Sequence, residues 1–306
     1  MKRSLIFIIS CMLFGVMASA QSFKVIEKDF ERFSTIKIED KFEVKLINSN
    51  RYEVRINADE RIAAHVQAYE KNNTLYLLLD ERGYSKELKK QLKKKGAVQP
   101  VLEAEIHMPH LKSLVVSDKV VIRRSDVLNS DNFTLTVSDN AKIQQLKVTC
   151  STADIDALKS AELNAEFTVA SKLYLEAGNS SKVSVQQNGG NSFIEMDGSS
   201  YADLKCSEVQ AVEVIASSGA EAHISGTASM LTVSASGMSR TDAELLEARE
   251  GSITQTGSSK CHVNVTRKMK VNLTGGSMLT FKRTPEIEVD RIVNSTLIKA
   301  DDPKRK

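Results

Sequence analysis

LTVSDNAKI from Leu135, LEAGNSSKV from Leu175, VIASSGAEA from Val214 and VSASGMSRT from Val233 are versions of one nine-residue pattern. The pattern starts at Leu114, Leu135, Ile155, Leu175, Ile194, Val214, Val233, Ile253 and Val271, in steps of 21, 20, 20, 19, 20, 19, 20 and 18 residues. A strand-like motif that returns about every twenty residues marks a stacked solenoid. Position one is always Leu, Ile or Val, and position three is apolar except at Gln255. Those two positions lie on one face of a strand and point inward. Positions four to six are turn formers, as in Ser138-Asp139-Asn140 and Thr256-Gly257-Ser258. Gly and Asn tolerate positive φ there, and Ser and Asp can bond their own backbone. Position seven is small in nearly every copy, as a tight inner corner requires, and position eight is usually long or charged. Position nine turns apolar again and opens a second strand, and a third apolar pair completes the circuit. The expected fold is all-β: a parallel β-helix of about nine coils, each of ~20 residues, about 40 Å long at about 4.8 Å per step.

Outward from the repeats, residues 101–284 read as the β-helix and 21–100 as an N-terminal β module that caps it. In that module Ile36 and Ile38, Val44 and Leu46, and Val54 and Ile56 alternate with charged residues, the period of half-buried strands. Asn48-Ser49-Asn50 reads as a turn and LYLLL at 75–79 as another strand, while 59–71 suit a short helix. Residues 85–95, SKELKKQLKKK, are strong helix formers with Leu88 and Leu92 on one face. This lysine-rich helical insertion reads as a solvated excursion. Its functional reading is a basic handle of Lys89, Lys90, Lys93, Lys94 and Lys95 for an anionic surface. Pro109 has no amide hydrogen to give a ladder and belongs at a corner. Residues 285–306 read as a cap strand, with Ile287, Val289, Ile292 and Val293, followed by a disordered charged tail.

Lys2 and Arg3, an apolar run to Val16 and the small residues Ala18-Ser19-Ala20 form a secretory signal with cleavage between Ala20 and Gln21. The expected location is therefore outside the cytoplasm, in the periplasm, at the outer membrane or on the cell surface. Without Lys2 and Arg3 the 42 basic residues become 40 against 39 acidic ones, a net charge of +1. That balance gives no electrostatic case for nucleic acid. The apolar run is too short to serve as a spanning helix. Beyond it remain Cys150, Cys206 and Cys261, an odd number on well-separated coils, and no intramolecular disulfide is expected.

The residues point to no catalytic, cofactor-binding or metal-binding constellation. His107 and His110 flank Pro109, and His223 and His262 fall two coils apart, too far to share a metal. Asp118 and Asp139 share position five of adjacent copies and form the one candidate carboxylate pair, but the next residue in that row is Lys159. Their plainer reading is turn chemistry. The lack of Trp also counts against a sugar-binding cleft.

The Met108-Pro109-His110-Leu111 lead-in, the S-G-x-S style turns and the N-terminal strand module resemble the exported family described as putative auto-transporter adhesin, head GIN domain. The resemblance spans roughly residues 34–281. It implies a β-helical envelope protein and assigns no functional residue. The expectation is a non-enzymatic, adhesin-like or scaffolding protein with an envelope protein, polysaccharide or surface as partner and no cofactor. The alternative is a carbohydrate-active β-helix.

Overall fold

The structure is a computed structural model that describes residues 22–300. The Ala20–Gln21 cleavage site and residues 301–306 lie outside the described residues.

A β-solenoid of about nine turns fills most of the chain. Its strands run on through several of the short segments that the repeat presents separately. Lys142–Ala157, Glu162–Ala177, Tyr201–Ala216 and Arg240–Gln255 each run from position eight of one copy to position three of the next. The corners are taken as local register shifts, between Ile143 and Leu146 and between Cys150 and Thr152, without leaving the ladder. Every pairing along this stack is parallel, with Leu135 beside both Leu114 and Ile155, and Ile155 beside Leu175. Positions one, three and seven are buried throughout, which bears out the inward assignment; Val120, Ala141, Ala161 and Ala220 at position seven are each 0% exposed.

Positions four to seven form a β-turn. The amide of position seven donates to the carbonyl of position four, as in Ala141 to Ser138 (3.0 Å) and Ala161 to Leu158 (3.2 Å). The amide of position four donates to position three of the preceding coil, as in Ser138 to Val116 and Leu158 to Val137, both 3.0 Å. Position five is left-handed in every copy: Asp118, Asp139, Lys159, Asn179, Gly198, Ser218, Gly237, Gly257 and Gly275 all have positive φ. Where position six is left-handed too, as at Asn140 and Ser160, both central residues have the handedness of a type I′ turn. At Gly198 the need is steric as well, since a Cβ would come 2.7 Å from the Asn179 carbonyl oxygen.

The N-terminal module belongs to the same stack, in an order different from that of the chain. Thr35–Ile38 lies parallel between Thr74–Leu79 and Ser113–Val116, so Ile36 is flanked by Leu75 and Leu114. Glu43–Asn48 lies parallel between Leu102–Met108 and Val121–Ser125. IKIEDKFEV from Ile36 to Val44 is thus a further copy of the nine-residue pattern, and its position five, Asp40, is also left-handed (φ 69). The outermost coil is made by Thr74–Leu79 and Leu102–Met108, and residues 80–101 replace its turn. Phe23–Asp29, Glu53–Asp59 and Val66–Lys71 add antiparallel strands at this end.

The helix expected within 59–71 shrinks to a single 3₁₀ turn, Ala63–His65. Val66–Lys71 instead pairs with Thr74–Leu79 as a hairpin. Asn72 and Asn73 are both left-handed (φ 54 and 61), the turn that matches the twist of paired strands. Pro109 sits at a corner, between Met108 and Ser113–Val116, as expected.

At the far end, Glu286–Val293 adds in parallel to Lys260–Thr274, and Thr296–Lys299 adds to Met278–Lys282. The expected cap strand is therefore one more rung. It leaves Val289, Ile292, Val293 and Ile298 from 39% to 51% exposed and, among the described residues, its own outer edge unpaired.

Candidate functional site

Three places concentrate chemistry, and the turn edge is the first. Asp40, Asp118 and Asp139 occupy position five of three successive rungs, and each has a local use. Asp40 Oδ2 accepts from the Leu79 amide (3.1 Å), Asp118 from the Ser117 hydroxyl (3.0 Å) and Asp139 from the Ser138 hydroxyl (2.7 Å). Lys159, next in the row, pairs with Asp139 at 3.3 Å. The Ser138 hydroxyl and then Lys159 hold the Asp139 carboxyl below the usual range. Burial, reinforced by Glu81 and Asp118, raises that of Asp40. An acid whose folded value is raised gains stability as pH falls through that value and is unfavourable above it. Asp40→Asn keeps an acceptor for Leu79 and tolerates positive φ. It should raise the thermal midpoint at pH 7, with the gain vanishing on acidification, as paired melts at several pH values would show.

The second place is the insertion that replaces the turn of the outermost coil. The helix spans Lys86–Leu92, with the Ser85 hydroxyl accepting from the Leu88 amide (3.1 Å). It is shorter than the run of residues 85–95 because Lys93 caps it and Gly96 turns left-handed (φ 80). Leu88 and Leu92 pack on the core, while Lys90, Lys94 and Lys95 are exposed to solvent. Between this wall and the turn edge lies a cleft of about 660 Å³. Ile62, Leu79, Tyr84, Leu92, Leu102 and Val121 supply its apolar lining, and Lys41, Lys89, Lys93 and Lys119 its cations. Of the lysines singled out in the sequence, Lys89 and Lys93 reach this cleft. Asp118 and Asp139 are not among its lining residues.

The third place escaped the sequence reading. Tyr174 and Phe193 are partners on adjacent rungs, with ring centroids 5.2 Å apart, and Tyr174 is 42% exposed. The Lys172 ammonium lies 3.9 Å from the Tyr174 centroid. Asp156, Glu176 and Glu195 line up in register two residues along. Burial, and then the like charges of Asp156 and Glu195, raise the Glu176 carboxyl. Stacked like charges oppose strand pairing, so this column is not there for stability. The rings are nineteen residues apart in sequence, and only the coil period brings them together.

The histidines form no centre: His223 lies 2.9 Å from Glu221 and 5.3 Å from the Tyr201 ring. Among the described residues no three His, Cys, Asp or Glu side chains are placed to hold a metal, and no helix is long and apolar enough to cross a membrane. Cys150, Cys206 and Cys261 are free thiols buried in the core. Burial pushes them up to about 11, about 12 and about 12. Since the thiolate is the reactive form, a thiol reagent at pH 8 should leave the folded protein unmodified and titrate all three after denaturation.

A family model described as "Putative auto-transporter adhesin, head GIN domain" matches residues 32–172 and 157–285. No curated protein matches the chain in sequence. Similar solved structures include one described as a putative adhesin from Parabacteroides merdae ATCC 43184 (15% identity, TM-score 0.47, covering 91% of this chain and 96% of that one). Another, from Parabacteroides distasonis ATCC 8503, is described as a putative lipid binding protein (13% identity, TM-score 0.48, covering 91% and 97%). A third is described as a putative adhesin from Bacteroides fragilis NCTC 9343 (16% identity, TM-score 0.31, covering 91% and 97%).

Proposed function

We infer that this chain, which belongs to the putative auto-transporter adhesin, head GIN domain family, is an exported, non-enzymatic, adhesin-like protein of the cell envelope. The observation that carries the non-enzymatic reading is the use made of the turn-edge carboxylates. Asp40, Asp118 and Asp139 are each engaged by a backbone amide or a neighbouring hydroxyl, in a row that passes directly into Lys159. Hydrolysis of a glycosidic bond needs two carboxylates facing each other across a substrate, one of them protonated. A row of turn residues along one edge of the stack does not offer that arrangement. What the solenoid offers instead is long regular faces and one edge interrupted by a single insertion, the usual design of a binding scaffold.

Export and activity are tested separately. Protein recovered from the extracytoplasmic fraction of its own cells should begin at Gln21, and a cytoplasmic chain that retains Met1 would overturn export. Incubation with acidic and neutral glycans should release no product. Product release that is lost on Asp118→Asn or Asp139→Asn would overturn the non-enzymatic reading.

The ring pair favours a second reading, that of a polysaccharide-binding face. Sugar rings stack on exposed aromatic side chains, and carboxylates accept from their hydroxyls. If that face serves, Tyr174→Ala should abolish retention on the glycan that the parent protein binds, with no change in thermal midpoint.

A further inference from the structure

The cleft beneath the lysine-rich helix has a charge balance that its own residues leave open. Lys41 is paired with Glu81 at 2.7 Å, and Glu43 with Arg123 at 2.7 Å. Those two pairs account for both carboxylates in the lining. Lys89 donates to the Arg82 carbonyl (2.9 Å), a neutral acceptor, and is in no ion pair among the described residues. Lys93 and Lys119 have no carboxylate within ion-pair distance among the described residues. Three cations therefore line one cleft whose two lining carboxylates are both already paired. Beneath them the lining is core: Ile62, Leu79, Tyr84 and Leu102 are from 1% to 7% exposed and belong to the packed interior.

The position of the cleft follows from the repeat. Lys41 and Lys119 stand at position six of adjacent rungs, so the stacking itself brings them together. Lys89 and Lys93 come from the opposite wall, one helical turn apart. That wall exists only because residues 80–101 replace a turn that every other coil closes with a few residues. Insertions in repeat proteins mark the working face. The volume of about 660 Å³ is that of a small-ligand site and is too small for a folded partner.

We propose that this cleft binds an amphipathic anion, an apolar alkyl or aromatic body carrying one acidic head, with the head between Lys93 and Lys119 and the body on Leu79, Leu92 and Leu102. The inference stands apart from the adhesin reading, because a scaffold with or without a partner can hold such a ligand.

Calorimetric titration of the mature chain with decanoate, below its micellar range, tests it. Decanoate should bind at one saturable site. The double variant Lys93→Glu/Lys119→Glu should weaken that binding by at least about tenfold, the effect of losing charge-assisted contacts. Leu92→Arg, which fills the apolar end, should weaken it comparably. Lys90→Glu/Lys95→Glu alters the same helix outside the cleft and should leave binding unchanged, which separates the site from general electrostatic attraction. All variants should melt within a few degrees of the parent chain.

Equal binding of inorganic phosphate would show that the apolar lining plays no part, and equal binding of octan-1-ol that the lysines play none. Either result overturns the proposal. So does an absence of saturable decanoate binding, or equal losses in the two lysine pairs. Sedimentation of the protein with phosphatidylglycerol vesicles, without decanoate binding, would assign the lysines to a membrane surface and also overturn it.

Discussion

Gly226→Ala should be the most damaging single-methyl change in the solenoid. Gly226 stands at a corner of the strand Glu221–Ala235 with φ +111, a conformation that residues with a Cβ rarely adopt. The backbone of the preceding rung lies directly in the path of a side chain there. An alanine Cβ would be driven into the Cys206 carbonyl oxygen, far inside any permitted contact, and close to the Cys206 nitrogen (3.2 Å) as well. Backbone in a laddered rung cannot give way as a flexible side chain can. The rungs must separate, or the corner must change conformation and lose the pairing of Cys206 with Gly226. We expect a loss of about 4 kcal/mol or more, at the extreme of single substitutions. Urea unfolding followed by far-ultraviolet circular dichroism should show it. Gly96→Ala serves as the control: it also has positive φ (+80), but nothing lies within 4 Å of its would-be Cβ. Its cost should be confined to the backbone conformation, about 1 kcal/mol.

Phe167→Ala should come second. A solenoid core of Val, Ile, Leu and Ala contains few large rings, and Phe133 and Phe167 meet in its interior with centroids 6.2 Å apart. Phe167 is 0% exposed and pairs in register with Val148 on one side and Gln187 on the other. Truncation removes a ring that its neighbours cannot replace, because the rung spacing is set by backbone hydrogen bonds. The cavity should cost about 3–5 kcal/mol. Gln187 is already held by the Ser192 hydroxyl (2.7 Å) and by the carbonyls of Gly189 and Asn191, so it cannot swing in to fill the space. Phe167→Leu should recover more than half of the loss, as parallel denaturation curves would show.

The repeat was legible because its signals are local. Alternation fixes the inward positions, and turn residues fix the corners, so burial at positions one, three and seven follows from a single copy. The left-handed backbone at position five was legible in Asn179 and Gly237, yet hidden in Lys159 and Ser218, residue types that seldom adopt it. The copy at Ile36–Val44 is hidden in the sequence for a different reason. Its neighbours in the stack, Leu75 and Leu114, lie 39 and 78 residues away in the chain, and no fixed period links them. The lysines of the insertion stand out in sequence as a charge run, but Lys41 and Lys119, which line the same cleft, are ordinary turn residues in sequence. Only stacking brings the four together. Tyr174 and Phe193 show the same limit: each is an unremarkable strand residue until the coil closes.

The out-of-order rung at Thr35–Asn48 sets a sequence of events for a chain that grows from its N-terminus. That segment has both lateral edges open until residues 74–79 and 102–108 exist to cover one side and residues 113–125 the other. Apart from the local hairpin of Val66–Lys71 with Thr74–Leu79, the first rungs of the stack therefore cannot close before about residue 125, and this first step joins distant parts of the chain, which is slow. From Lys142 onward the situation reverses. Each new rung meets a finished edge and adds to it after some twenty residues, so assembly becomes local and directional. A chain cut after a complete late rung should still fold, whereas one lacking residues 35–48 would have a gap where every later rung begins.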